Sequence, residues 1–291
     1  MSAPESTPAA ASPTPLPPGV YDQLPSESYH ADPALSASGM KTLLDPGCPA
    51  LYRYERDHPQ PPKATFDFGH AAHRLVLGDG AKLRVLDYDN WLTKAAKEAK
   101  ADAYAEGAVP LLTKDMDKAR AMAAAVHAHP LADALFRGGR PEVSLFFKDP
   151  ASGVSLRARL DWLDDQRKGR AIMTDYKTIG TGVDLEHIER AIYEFGYQVS
   201  GVQYEAAAQA LGLAGDDAVT TLVFQSKDPP FLVRVVQLPF DAIKVGRAKR
   251  RAAINLFKEC SDSGLWPGYE DVAYAGLPPW AQAREEMEYL A

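Results

Sequence analysis

Cysteine is nearly absent from this 291-residue chain, which holds only Cys48 and Cys260. They lie far apart and neither has a CxxC partner, so neither a zinc site nor an iron–sulfur cluster is supported. Both read as reduced, structural thiols. No segment is apolar for the roughly 18 residues a membrane span needs, so no membrane partner is expected. The N-terminus lacks the basic start and apolar run of a secretory signal. A soluble, cytoplasmic protein is the expectation. An excess of positive charge is missing too: 32 Lys and Arg against 39 Asp and Glu leave a net charge of −7. That excludes a surface coated uniformly for nucleic acid, but it leaves room for a local basic groove. Internal repeats are also lacking.

What is present divides unevenly. Residues 1–19 are rich in Pro, Ala and Ser and poor in bulky apolar residues, and are expected to form a disordered tail. Residues 20–291 then supply enough apolar sequence for one domain. Tyr29 to Leu44 reads as an extended piece leading into a helix capped by Ser36 or Ser38, and Ala50 to Arg56 as a short helix. The pattern predicts a helix over 65–77 with Phe68, Ala72, Leu75 and Val76 inward. Residues 91–136 read as two or three helices, broken near Gly107–Pro110 and at Pro130. Strands are expected at 142–148, 219–225 and 231–238, two helices over 183–210 with a break near 195–197, and a helix at 240–261. Residues 266–291 read as an irregular tail. Helices, then a sheet, then helices between strands indicate an α/β or α+β domain.

The most informative stretch is Val154 to Lys177. Residues 154–163 alternate with the period of a half-buried strand, with Leu156, Ala158, Leu160 and Trp162 expected on one face and Arg157, Arg159 and Asp161 on the other. Asp164-Asp-Gln-Arg-Lys-Gly169 reads as a turn, and Ala171 to Lys177 as the returning strand. The midpoint of 161 and 175 is residue 168, inside the turn, so a hairpin sets Asp161 opposite Asp175. Two residues on, Lys177 shares a face with Asp175. Opposed carboxylates repel unless a cation or a shared proton relieves them. Two carboxylates and a lysine on one face can hold a hard cation and activate a water beside a phosphate. The same charges could equally form an ordinary salt-bridge network with Arg157 and Arg159.

His73 follows Gly69 by one helical turn, which leaves room beside its imidazole for a metal or a phosphate. Glu142 opens the strand before the hairpin and could add a carboxylate. The run Lys244, Arg247, Lys249, Arg250, Arg251, free of acids until Glu259, is the best candidate for a basic groove, with a solvated helix face as its plain alternative.

In order, Gly69-x-x-x-His73, Glu142, Asp161 and Asp175-Tyr-Lys177 resemble the PD-(D/E)xK nuclease superfamily. The closer resemblance is to its RecE-like, exonuclease VIII-like phage and prophage group. Tyr29-His-Ala-Asp-Pro-Ala-Leu-Ser-Ala-Ser, Phe66-Asp-Phe-Gly and Trp266-Pro-Gly-Tyr269 look like that group's flanking segments, so the similarity runs from about residue 27 to 282. It implies an α/β fold, a mixed central sheet flanked by helices. It also implies a magnesium-dependent exonuclease, with manganese able to substitute, that degrades linear duplex DNA 5′ to 3′ for recombination. Asp161, Asp175 and the Tyr176 carbonyl would hold metal, Lys177 would position or activate water, His73 would serve a second metal or its water, and Glu142 would assist. Double-stranded DNA ends, a ring of identical subunits and a single-strand annealing protein are the implied partners. Arg157, Arg159, Arg247, Arg250 and Arg251 are the candidate DNA contacts. The chain departs from the group in two places. The second acid is an aspartate, and the helix motif Gln-x-x-x-Tyr has Ser200 where glutamine is expected, which leaves Gln198 and Tyr204 as displaced DNA-binding candidates. Two other readings fit the same residues: a structure-specific endonuclease, and a catalytically silent DNA-binding scaffold.

Overall fold

The alternating stretches of the second half build a six-stranded mixed sheet in the computed structural model, which describes residues 14–44, 46–59, 67–164, 171–180, 182–270 and 272–290. Its strands are β1 (Gly19–Tyr21), β4 (Arg140–Lys148), β5 (Ser155–Asp164), β6 (Ile172–Ile179), β7 (Val219–Ser226) and β8 (Val233–Gln237), neighbours in that order. All pairs are antiparallel except β6 with β7. A parallel pair needs a crossover. It is made here by α8 (Leu185–Phe195) and α9 (Tyr197–Ala210), joined at Gly196 with φ 60°. Glycine takes that left-handed conformation without the Cβ penalty, so the helix break expected near 195–197 falls on it.

Helices cover both faces. On one, α2 (Ala37–Leu43), α3 (Pro49–Asp57), α9 and α10 (Phe240–Ser263) pack on Val143, Leu145, Leu156, Ala158, Leu160, Leu163 and Met173. On the other, α4 (Asp67–Leu77), α6 (Thr113–Ala128) and α7 (Pro130–Leu135) pack with Trp162, Tyr176 and Val223. Each fully buried Leu or Met is worth about 1.5–3 kcal/mol in removed apolar surface. The expected mixed sheet flanked by helices is therefore what the chain forms.

Several local expectations are corrected. Residues 29–31, read as the start of an extended piece, instead end α1 (Ser26–Ala31), which buries Tyr29. The break at 107–110 is not a loop between helices. Ala108-Val-Pro-Leu-Leu112 is apolar enough to be a strand, β3 (Ala108–Leu112), which pairs in parallel with β2 (Lys82–Leu86). Pro110 is tolerated because every strand of a two-stranded sheet is an edge. Between them runs α5 (Lys94–Ala105). The C-terminal segment carries a helix, α11 (Pro279–Tyr289), begun by a proline that presets the first turn. Trp162 does not share the face of Leu160. The alternation slips between them, Leu163 joins the Leu160 core, and Trp162 packs on the opposite side.

Residues 14–19, assigned to the tail, touch the body: Leu16 N–H donates to Asp32 Oδ2 at 2.7 Å, and Gly19 pairs with Phe146. Most of the expected turn, 165–170, and Phe66 lie outside the described residues.

Gly246 shows how tightly α10 seats on α9. A Cβ there would collide with the Gln198 carbonyl. Gly246→Ala is expected to destabilise the protein by about 1–3 kcal/mol, overpacking outweighing the gain in helix propensity. Urea unfolding with an unchanged or raised midpoint would refute this.

Candidate active site

Among the described residues β5 and β6 pair at three positions, Trp162 with Thr174, Leu163 with Met173 and Asp164 with Ile172. One step further in the same register sets Asp161 opposite Asp175, as the midpoint argument requires. There the strands part. β6 continues along β7 to Ile179, while β5 turns to its other neighbour, β4. A fork in a sheet leaves backbone groups without ladder partners. Asp161 fills the gap: its Oδ2 accepts the Tyr176 N–H at 2.8 Å. The facing residue of β4 is strained to match, for Glu142 has φ 51°, rare for any residue but glycine.

The polar side chains converge on this fork. Lys177 Nζ lies 2.7 Å from Asp175 Oδ1 and 3.8 Å from Asp161 Oδ2. From α4, His73 reaches Asp161 Oδ2 with Nε2 at 3.0 Å and Glu142 Oε1 with Nδ1 at 3.3 Å. His73, Glu142, Asp161, Asp175 and Lys177 thus form one cluster, drawn from residues up to 104 positions apart. Residues 36–277 match the family described as a PDDEXK-like domain of unknown function (DUF3799). The chain belongs to that family.

The fork brings together Asp161, Asp175 and Lys177, the residues whose order in the sequence resembles the acid, acid and lysine of a PD-(D/E)xK pattern. Among solved structures, a crystal structure named "Putative exonuclease" from Eubacterium rectale matches 89% of this chain and 98% of its own at 12% identity, with a TM-score of 0.60. At that identity the likeness is one of fold. A crystal structure of SSO0001 overlaps 68% of this chain and 88% of its own at 13% identity, with a TM-score of 0.27, too low to carry an argument. None of the curated proteins matches the chain.

The electrostatics of this PDDEXK-like site follow from burying opposed charges. Burial drives the Asp175 carboxyl up, Lys177 pulls it back, and the neighbouring Asp161 charge pushes again, leaving it near 7. For Asp161 burial also raises, but Lys177 and His73 outweigh it and hold the carboxyl well below the usual range. Lys177 is lowered by burial and raised more by the two aspartates, so it is an ammonium at neutral pH. His73 behaves likewise: the Asp161 and Glu142 charges outweigh its desolvation and favour the imidazolium. Glu142 is raised, first by burial and then by Asp161.

A metal fits this donor set in its chemistry. Among the described residues no group donates a hydrogen bond to the buried Asp175 Oδ2, an oxygen left over for a ligand. Magnesium commonly takes just one or two protein carboxylates together with phosphate oxygens. No cluster of three or more acidic, histidine or cysteine ligands is already formed around a metal position among the described residues. Instead Lys177 and His73 neutralise the acids, standing where a cation's charge would otherwise act. The Tyr176 side chain points to the other face, its hydroxyl bonded to Gln225 Oε1.

The remaining candidates scatter. A Cβ at Gly69 would meet Thr178 Oγ1 at 3.6 Å, an ordinary contact where α4 packs on β6. Arg157 is buried at 4% exposure and stacks on the Tyr29 ring at 4.6 Å. Arg159 bonds Ser144 Oγ and the Leu24 carbonyl, and approaches Glu142 to 4.0 Å. Arg250 is tied to Gln203, and Arg251 makes a bidentate pair with buried Asp149. Arg247 is exposed, 4.0 Å from Glu205. Gln198 is buried against α10. Tyr204 packs beside the site, its hydroxyl raised by burial and by the Asp175 charge. Lys41 and Tyr197, which no sequence motif marks, stand next to Lys177.

Proposed function

We propose that this protein is a divalent-metal-dependent DNA exonuclease that hydrolyses phosphodiester bonds of linear duplex DNA, 5′ to 3′. The observation that carries the proposal is the fork: two opposed aspartates, one with an unpartnered buried oxygen, and a lysine held against both. Asp161, Asp175 and the Tyr176 carbonyl would hold the metal, Mg²⁺ with Mn²⁺ as a substitute. When bound, the metal lowers the pKa of its water and offsets charge on the phosphate. Lys177, as an ammonium, is a donor rather than a base. It orients the attacking water and stabilises charge growing on a phosphate oxygen. The His73 imidazolium fixes the Asp161 carboxylate, and through Glu142 holds the strained end of β4 in place.

The RecE-like resemblance extends the proposal to a ring of identical subunits that leaves a 3′ strand for an annealing protein. End-labelled linear duplex, incubated with Mg²⁺ beside closed circular DNA, tests it. Loss of the linear DNA alone is expected, released from the 5′ end. Cleavage of the circle would favour a structure-specific endonuclease. Metal-independent binding without turnover would favour the silent scaffold.

A further inference from the structure

Lys41 lies on α2, more than 130 residues before the catalytic lysine, Lys177, yet the fold delivers it to the site. Ser36 caps α2 by accepting the Gly39 N–H at 3.2 Å, which fixes where the helix begins. The Lys41 stem then crosses Gly196, where a Cβ would stand 2.6 Å from Lys41 Cδ and 3.1 Å from Cγ. Any other residue at 196 would push the stem away. Its ammonium donates to the Phe195 carbonyl at 2.7 Å, at the electronegative end of α8. The same nitrogen lies 6.0 Å from the centroid of the Tyr197 ring, and Lys177 Nζ lies 5.5 Å from that centroid.

Two ammonium groups therefore share one aromatic ring. Lys177 has two aspartates to answer its charge. Among the described residues Lys41 has no carboxylate at ion-pair distance, and a single protein acceptor for three N–H donors. Burial and the Lys177 charge, only partly opposed by Asp175, push the Lys41 ammonium down to about 8. A half-buried cation held by a glycine notch, answered by one carbonyl and facing a second cation, is built for an anion that arrives from outside.

We propose that Lys41 is a substrate-contacting residue that binds a phosphate of the DNA strand next to the one being cleaved. This rests on the nuclease reading, since the anion it names is the substrate backbone. A phosphate there would answer the unpaired charge and hold the strand against Tyr197, while Lys177 stays committed to the scissile group.

The test is binding of a fluorescent duplex to the full-length protein, in chelator so that nothing is cut, across about 50–200 mM salt. One phosphate contact contributes about 0.9 to the slope of log K against log salt. Lys41→Gln keeps a donor for the Phe195 carbonyl and deletes the charge. It is expected to flatten the slope by about 0.9 and to weaken binding several-fold at low salt, whereas Lys41→Arg keeps the parent's slope. Lys41→Met, which retains the packing across Gly196, serves if the glutamine variant does not fold. A charge-deleted, folded variant with the parent's salt slope overturns the assignment, even if its cleavage is impaired, for that would mark a purely structural lysine. A parent that neither binds nor cuts DNA overturns the nuclease reading, and this assignment with it. Binding by the parent with an unchanged slope in the variant overturns Lys41 alone.

Discussion

Lys177→Met is expected to slow DNA cleavage by about 10²–10⁴-fold while changing DNA affinity only a few-fold. The methionine keeps most of the stem's volume and removes a cation within hydrogen-bond distance of Asp175. The lost contribution is electrostatic and belongs to the transition state, so it lowers turnover rather than binding. A second consequence separates this from simple unfolding. Without Lys177, two buried carboxylates face each other, with His73 and the Tyr176 N–H on Asp161. Breaking a buried charge pair on one side costs about 3–5 kcal/mol. The metal-free variant should therefore melt well below the parent, and added Mg²⁺ or Mn²⁺ should restore more stability to it than to the parent. Digestion of end-labelled duplex, paired with melting curves with and without metal, checks both halves. Cleavage at the parent's rate would remove Lys177 from the mechanism.

Much of that site is legible in the sequence because strands obey simple geometry. A period of two fixes which side chains share a face, and a turn's midpoint fixes which residues oppose, so the order of residues by itself brings Asp161, Asp175 and Lys177 together. The slip at Trp162 is not legible. It arises where β5 exchanges one neighbour for another, a tertiary event opposite a left-handed Glu142, and no local pattern records it. The partners within the basic run at 244–251 are not legible for a similar reason. Charge in sequence says nothing of partners, and Arg250 and Arg251 are occupied by Gln203 and Asp149, which are 47 and 102 residues distant. Strand β3 hides behind a proline that ordinarily punctuates helices. Lys41 has no signal at all, because its role depends on a glycine notch formed between two helices far along the chain.

Divalent metal should stabilise the protein far more at pH 8 than at pH 5, and Asp175 is the reason. Its folded-state pKa, near 7, lies above the ordinary carboxylate value of about 4. The folded state therefore holds a proton that the unfolded chain releases between those values. The stability this contributes is fully present below about pH 4 and is lost as pH rises through about 7. Asp161 does not blur the window. Its pKa is depressed, so its contribution is complete above about pH 4 and lost only in stronger acid. Metal-free protein should thus become less stable from pH 5 to pH 7. A metal bound to the Asp175 carboxylate must displace that proton at pH 5 but not at pH 8. Its apparent affinity should therefore fall about tenfold for each unit below 7, roughly 100-fold by pH 5, or about 2.7 kcal/mol less stabilisation. Melting curves at fixed Mg²⁺ across this range read the effect, and Asp175→Asn, with no proton to displace, should flatten it. A metal-induced shift of equal size at pH 5 and pH 8 in the parent would mean that Asp175 does not bind the metal, and that the unpartnered oxygen at the fork serves something else.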